Sequence, residues 1–273
     1  MWKKRRRQKL RARPFPAAWS KIIEVAFPLF DRLPAEDRDE LRAHIQVFLA
    51  EKHFEGCGGL DVTEEMRVVI AAQACLLLLR RETDYYPGLQ TILIYPSSYR
   101  VKTTREIGLN VFHESHHHRL GEAWDSGAVV LAWDAVRDGA ANPDDGHNVV
   151  FHEFAHQLDY EDGRSDGAPL LGLDRPWFRR KQRFETWARV LKAEYEKLRA
   201  SIGTEEQSSV LDRYGATNPA EFFAVATESF FERPAEVRQK HPALYRQLRR
   251  FYRQDPASWP RAVEPAFQSQ QSA

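Results

Sequence analysis

Apolar residues recur at helical spacing through most of this 273-residue chain and change to a tighter alternation only near its middle. Leu41, Ile45, Phe48 and Leu49 fall three or four apart and predict a helix within residues 28–52. Asp61 or Thr63 can cap a second helix, with Glu64 and Glu65 in its first turn and the apolar run VVIAAQACLLLL (68–79) behind them. That helix is expected to end near Arg81. The stretch LQTILIYPSSY (89–99) is short, rich in β-branched residues and closed by Pro96, so it reads as a strand; GAVVLAWDAV (127–136) reads as another. NPDDGHN (142–148) is a loop. The helical period returns at Asn148 and continues through residues 177–202, 218–234 and 242–254. The expected fold class is α+β: a mostly helical single domain over residues 17–260 with a small mixed sheet, frayed at both ends.

Composition adds little to that picture except at the N-terminus. Hydrophobic residues make up 42% and charged residues 29%, the proportions of an ordinary soluble domain. A net charge of +1 excludes a strong overall bias toward nucleic acid or acidic lipid. The segment MWKKRRRQKLRAR nevertheless holds eight Lys/Arg and no acid. Pro14, Pro16, Lys21 and Glu24 break up the residues after it, so a secretory signal is not expected. Residues 1–16 are read as a disordered basic tail, with contact to nucleic acid or a membrane surface as the lesser reading. Residues 261–273 are expected to be a flexible tail. Residues 68–79 are too few to span a membrane, which takes about 20 apolar residues. Two cysteines, Cys57 in a turn and Cys75 inside an apolar helix, make no disulfide framework and fit a reduced, cytoplasmic protein.

The segment NVVFHEFAHQLDYEDG (148–163) carries the chemistry. A helix turns about 100° per residue, so His152 and His156 project from one face and can both reach one Zn²⁺. Glu153, one step round, can reach a water held on an open zinc position and take its proton. His-Glu-x-x-His thus supplies two ligands and a base in five residues. Val149, Val150, Phe154, Ala155 and Leu158 make the helix apolar around most of its circumference, which argues for burial, and buried imidazoles need partners.

A catalytic zinc site takes three protein ligands. Position 159 is Asp and position 162 is Asp, so the extended motif that continues through Gly to a third His is absent, and Asp162 is a weak candidate. YGATNPAEFFAVATESFF (214–231) offers Glu221 and Glu228, seven apart and on one helix face. Glu221 has a second reading. Asn218 is a good N-cap, Pro219 suits the first helical position, and Glu221 then occupies the capping-box position. Spacing alone leaves cap and ligand open.

HEFAHQLD, YGATNPAEFFAVATESFF, FEGCGGLDVTEEMRVVIAAQACLLLL, ILIYPSSY and GEAWDSGAVVLAWDAV together resemble the Mlc titration factor A family of zinc metallopeptidases and, more distantly, the catalytic domain of anthrax lethal factor. The resemblance runs from about Lys52 to Phe231, and LYRQLRRFYRQDP also resembles that family. It implies a zincin-type peptidase with His152, His156 and Glu221 as zinc ligands, Glu153 as catalytic base, and Tyr214 pointing its hydroxyl into the site to steady an oxyanion. Glu228 then supports the site from behind or lies at the surface, and Asp159 is a candidate partner for a ligating His. The implied activity is peptide hydrolysis with an aminopeptidase leaning. The alternative implied by the family name is a binding protein that sequesters a transcriptional repressor, with the zinc domain as scaffold. The strand over 127–136 would border the cleft, or serve as plain core. His113, His116, His117 and His118 read as a solvated loop, since three adjacent residues cannot face one point. Trp124 and Trp133 read as packing.

Overall fold

A computed structural model describes residues 2–97, 127–171, 177–203 and 210–260. The His cluster and Trp124, and the C-terminal tail from residue 261, lie outside the described residues.

The first helix corrects an expectation. Residues 2–11 are not a loose tail but helix α1 (Trp2–Arg11), laid against α3 (Ala35–Glu51). Charge pairing explains it. Arg7 clamps Glu51 in a fork, with Nε to Oε1 at 2.9 Å and Nη2 to Oε2 at 2.7 Å. Arg11 donates to the Tyr85 hydroxyl at 3.1 Å, and Leu10 is buried beneath the helix. A run of like charges on its own stays solvated, but here two of the arginines meet fixed acceptors on residues remote in sequence. Helix α2 (Ala17–Ala26) follows, then a 3-10 turn (Pro28–Arg32) that splits off the start of the single helix expected over 28–52.

Thr63 caps α4 (Glu64–Leu76), its side chain accepting from the Met66 N–H at 3.2 Å. Asp61 does not cap. Every residue of α4 from Val68 to Leu76 is buried, so its apolar run forms the central post of the core. Beside it stands a three-stranded sheet in the order β1 (His53–Gly56), β2 (Thr91–Tyr95), β3 (Ala128–Ala132). Both pairings are parallel, with Ile92 opposite Val129 and Ile94 opposite Leu131. The expected mixed sheet is therefore corrected to a parallel one among the described residues. Alternation of side chains predicts a strand and its buried face but not the direction of its neighbour. The second predicted strand is also shorter than its apolar run: the chain turns at Trp133 into helix α5 (Trp133–Ala141).

The helices that matter for function come next. Helix α6 (Val149–Asp159) carries the His-Glu-x-x-His segment, and Asn148 caps it by accepting from the Phe151 N–H at 2.9 Å. Gly139 of α5 lets that cap come close: a Cβ there would lie 3.2 Å from the Asn148 Cα. Behind α6, Phe154 packs on Tyr86 (ring centroids 4.8 Å apart) and on Phe48 (5.8 Å), while Phe151 meets Phe231 at 5.4 Å. Helix α7 (Trp177–Ala200) leads to a 3-10 turn (Arg213–Ala216) and then α8 (Pro219–Glu232), whose residues are buried from Ala220 onward. Helices α9 (Pro234–Lys240) and α10 (Pro242–Tyr252) close the core, with Phe230, Phe231, Phe251 and Tyr252 in edge and stacked contacts.

Candidate metal centre

Helices α6 and α8 pack face to face, and the contact brings three polar side chains to one point. His152 Nε2 lies 2.9 Å from Glu221 Oε2, His156 Nε2 lies 3.3 Å from the same oxygen, and the two Nε2 atoms are 3.2 Å apart. All three residues are buried, and among the described residues they form the one group of three or more such side chains that could hold a metal ion. Asp162 is exposed and instead accepts from the Arg164 N–H, so it takes no part.

The donor set fits a cation on chemical grounds. A tetrahedral ion with bonds of about 2.0–2.1 Å holds its donors roughly 3.3–3.4 Å apart, close to the edges of this triangle. The tautomer points the same way. His152 Nδ1 is 2.7 Å from Glu228 Oε1, so an Nδ1–H donates to that carboxylate, and Nε2 is the nitrogen that would give up its proton to a cation. Without an ion, a proton on Nε2 bridges to Glu221 Oε2 at 2.9 Å, and a cation would take that proton's place.

The titration behaviour follows from that crowding. Burial disfavours a charged His152, but Glu228 and Glu221 outweigh it and raise its pKa well above that of a free imidazole. Burial, together with the neighbouring His152, pushes His156 down. Glu221 is buried too, yet the hydrogen bonds from His152 and His156 hold its carboxyl well below the usual carboxylate range.

The structure separates the cap from the Glu221 side chain. Asn218 Oδ1 accepts from the Glu221 backbone N–H at 3.0 Å, and the Glu221 side chain remains directed at the two histidines. The cap fixes the first turn of α8 and so fixes where that carboxylate starts. Glu228, two turns on, orients His152 and accepts from the Asn148 N–H at 2.7 Å. Asn148 in turn donates to Gln73 Oε1 (2.9 Å) and to the Gly139 carbonyl (3.1 Å). The start of α6 is thus tied to α4, α5 and α8 at once. Asn148, Gln73 and Glu232, which accepts from the Gly146 N–H at 3.0 Å, are parts of this frame that sequence patterns did not single out. A polar residue inside an apolar run, as Gln73 is, was the available signal.

Glu153 is buried on α6 beside His152 and interacts with it electrostatically. Tyr214 is half-buried on the 3-10 turn before α8, its ring centroid 6.0 Å from that of His152. Asp159 does not serve a histidine through its Oδ2, which accepts from the Gly167 N–H at 2.8 Å. Burial raises the Asp159 carboxyl to about 7. Gly167, at φ +77°, fits where a Cβ would meet the Pro219 carbonyl, and its own carbonyl accepts from the Trp187 indole at 3.0 Å. This loop clamps the entry of α8.

The chain is similar over most of its length to several known proteins. A protein of Synechocystis with no assigned role is 41% identical over 256 residues, covering 93% of this chain and 90% of its own. Mlc titration factor A of Klebsiella pneumoniae is 32% identical over 234 residues, covering 85% of this chain and 84% of its own. The Salmonella arizonae protein of the same name is 30% identical over 243 residues, covering 88% and 93%. Residues 1–253 match the family described as glucose-regulated metallo-peptidase M90, which includes helix α1 in the match. By that match over residues 1–253, the chain belongs to the M90 metallo-peptidase family.

Proposed function

We propose that this protein is a zinc-dependent peptidase in which His152, His156 and Glu221 hold the ion. Zinc, when bound, supplies a Lewis acid that acidifies water and polarises a carbonyl. The observation that carries the reading is the convergence of two imidazole nitrogens and one carboxylate oxygen, all buried, next to a second buried carboxylate on the same helix. Glu153 then takes a proton from the attacking water and passes it to the departing amine. Tyr214 donates its hydroxyl to the negative charge that develops on the carbonyl oxygen. The substrate class is peptide, with the aminopeptidase leaning supported by resemblance alone. The cytoplasm is the proposed location, on the reading that two scattered cysteines, Cys57 and Cys75, suit a reducing compartment. No helix among the described residues is long and apolar enough to cross a membrane.

The test is Glu153→Gln. Metal analysis should find one zinc per chain in both proteins, while peptide hydrolysis falls roughly 10²–10⁴-fold in the variant and is lost from the parent on chelation. Undiminished turnover in Glu153→Gln would remove the mechanism.

The relatives named Mlc titration factor A motivate a second reading, in which the domain binds a transcriptional repressor. Capture of that repressor, unaffected by chelator and by Glu153→Gln, would favour a scaffold role for the zinc domain.

A further inference from the structure

Helix α10 divides its circumference sharply. Leu244, Tyr245, Leu248, Phe251 and Tyr252 are buried in the core, while Arg246, Arg249 and Arg250 fall within about 100° of one another on the opposite side. Arg253 follows directly, and Arg80, from the turn after α4, faces them across a groove of about 620 Å³. Five guanidiniums therefore line one cavity, with Asp255 as its only lining carboxylate among the described residues. We propose that this groove binds a compact polyanion, a ligand carrying two or more linked phosphoryl groups.

A solvated arginine stripe on an amphipathic helix is the simpler account; two observations stand against it, and a third selects the occupant. The first is charge. Arg80 pairs with Asp37 (2.7 Å) and Glu36 (2.9 Å), and Arg249 with Asp255 (3.2 Å), so the charges of these two are already met. Among the described residues, no carboxylate lies within ion-pair distance of Arg246 or Arg250, which stand one helical turn apart as like charges. The C-terminal dipole of α10 offsets only about half a charge.

The second is backbone conformation. Arg253 and Arg80 have φ of +56° and +58°, in the left-handed region that L side chains rarely adopt. Glycine is the usual residue at such a helix end, and glycine would cap α10 without strain. Of the four non-glycine residues with positive φ among the described residues, Arg80 and Arg253 line this groove and Tyr85 and Tyr86 do not, and Arg253 Nη1 reaches the Arg80 carbonyl at 3.4 Å. Strain of this kind persists where a side chain is needed at a particular spot.

The third is density. The groove has the volume of a cube roughly 9 Å on a side, which an extended peptide crosses in about three residues at about 3.3–3.6 Å each. An acidic peptide would place at most about three carboxylates there. A chain of linked phosphoryl groups packs more charge into the same length, and guanidinium forks match phosphate oxygens two at a time.

Tripolyphosphate, titrated calorimetrically into the full chain, tests this. Saturable one-site binding that weakens with added salt is expected. Arg246→Ala/Arg250→Ala should lose at least tenfold in affinity. Arg253→Gly keeps the left-handed backbone and removes the side chain, and it should weaken binding while the melting temperature holds or rises. His152→Ala should bind as the parent does, which separates this site from the metal centre and its chemistry. ATP in place of tripolyphosphate distinguishes a nucleotide from a simple phosphate chain, and binding of either supports the site. The proposal is overturned by three results: no saturable binding, binding that the arginine variants leave unchanged, or a hexaglutamate peptide that binds more tightly than tripolyphosphate.

Discussion

The His152 ring stands between two carboxylates of one helix: Nδ1 is 2.7 Å from Glu228 and Nε2 is 2.9 Å from Glu221. Two turns of α8 set that spacing, so the ligand and the group that orients its partner ligand move as one rigid unit. Glu228 touches neither the other histidine nor Glu221, and its second oxygen is held by the Asn148 N–H.

Glu228→Gln should therefore weaken zinc binding without abolishing it. The amide can still accept from His152 but no longer polarises the ring as strongly. A loss of about 10–100-fold in zinc affinity is expected, read by competition with a chromogenic chelator. An affinity equal to that of the parent would show that the His152 orientation is set elsewhere.

Tyr214→Phe removes one hydroxyl and leaves the ring against His152. If that hydroxyl meets the developing oxyanion, kcat should drop by roughly 10²–10³ with KM little changed. Steady-state kinetics on a peptide decide it, and an equal rise in KM with constant kcat would assign the hydroxyl to substrate binding instead.

Glu232 gives a pH dependence with a definite sign. Burial is the main cause that raises its carboxyl to about 9 from the 4.5 of a free glutamate. The folded chain keeps the proton while the unfolded chain loses it, so the stability this group contributes is full below about pH 4.5 and declines as pH rises toward 9. Glu232→Gln mimics the neutral acid and can keep the bond from the Gly146 N–H. Its melting temperature should fall less than that of the parent between pH 5 and 9. Parallel curves for the two proteins would place the alkaline loss on another group.

Arg7→Ala tests whether the basic N-terminus belongs to the folded structure. The Arg7 and Glu51 side chains are each only 11% exposed, so removing the guanidinium leaves a largely buried carboxylate without its fork. A loss of roughly 2–3 kcal/mol is expected in urea unfolding. Lys4→Ala, on the exposed side of the same helix, should change stability by less than about 0.5 kcal/mol.

Much of the centre was legible in the chain. His152 and His156 four apart on an apolar helix could share a cation only from one face, and helical geometry requires that whatever the rest of the fold does. Thr63 and Asn218 announced helix starts for local reasons, since a side-chain oxygen caps N–H groups two or three residues away. Arg7 and Glu51 were not legible in this way. Forty-four positions separate them, and no local period links a cationic run to an acid at the far end of another helix. Strand direction in the sheet was hidden for a similar reason, because alternation is the same in both directions.

The amino-acid order by itself determined the helix that carries His152, Glu153 and His156, and the helix that carries Glu221 and Glu228, because periodicity and capping act within a few residues. Only the tertiary structure decided that those two helices face each other, that the Glu221 side chain turns to the two histidines, and that Glu228 turns inward to His152. Those outcomes depend on apolar faces finding partners dozens of residues away, where packing has to satisfy every element together.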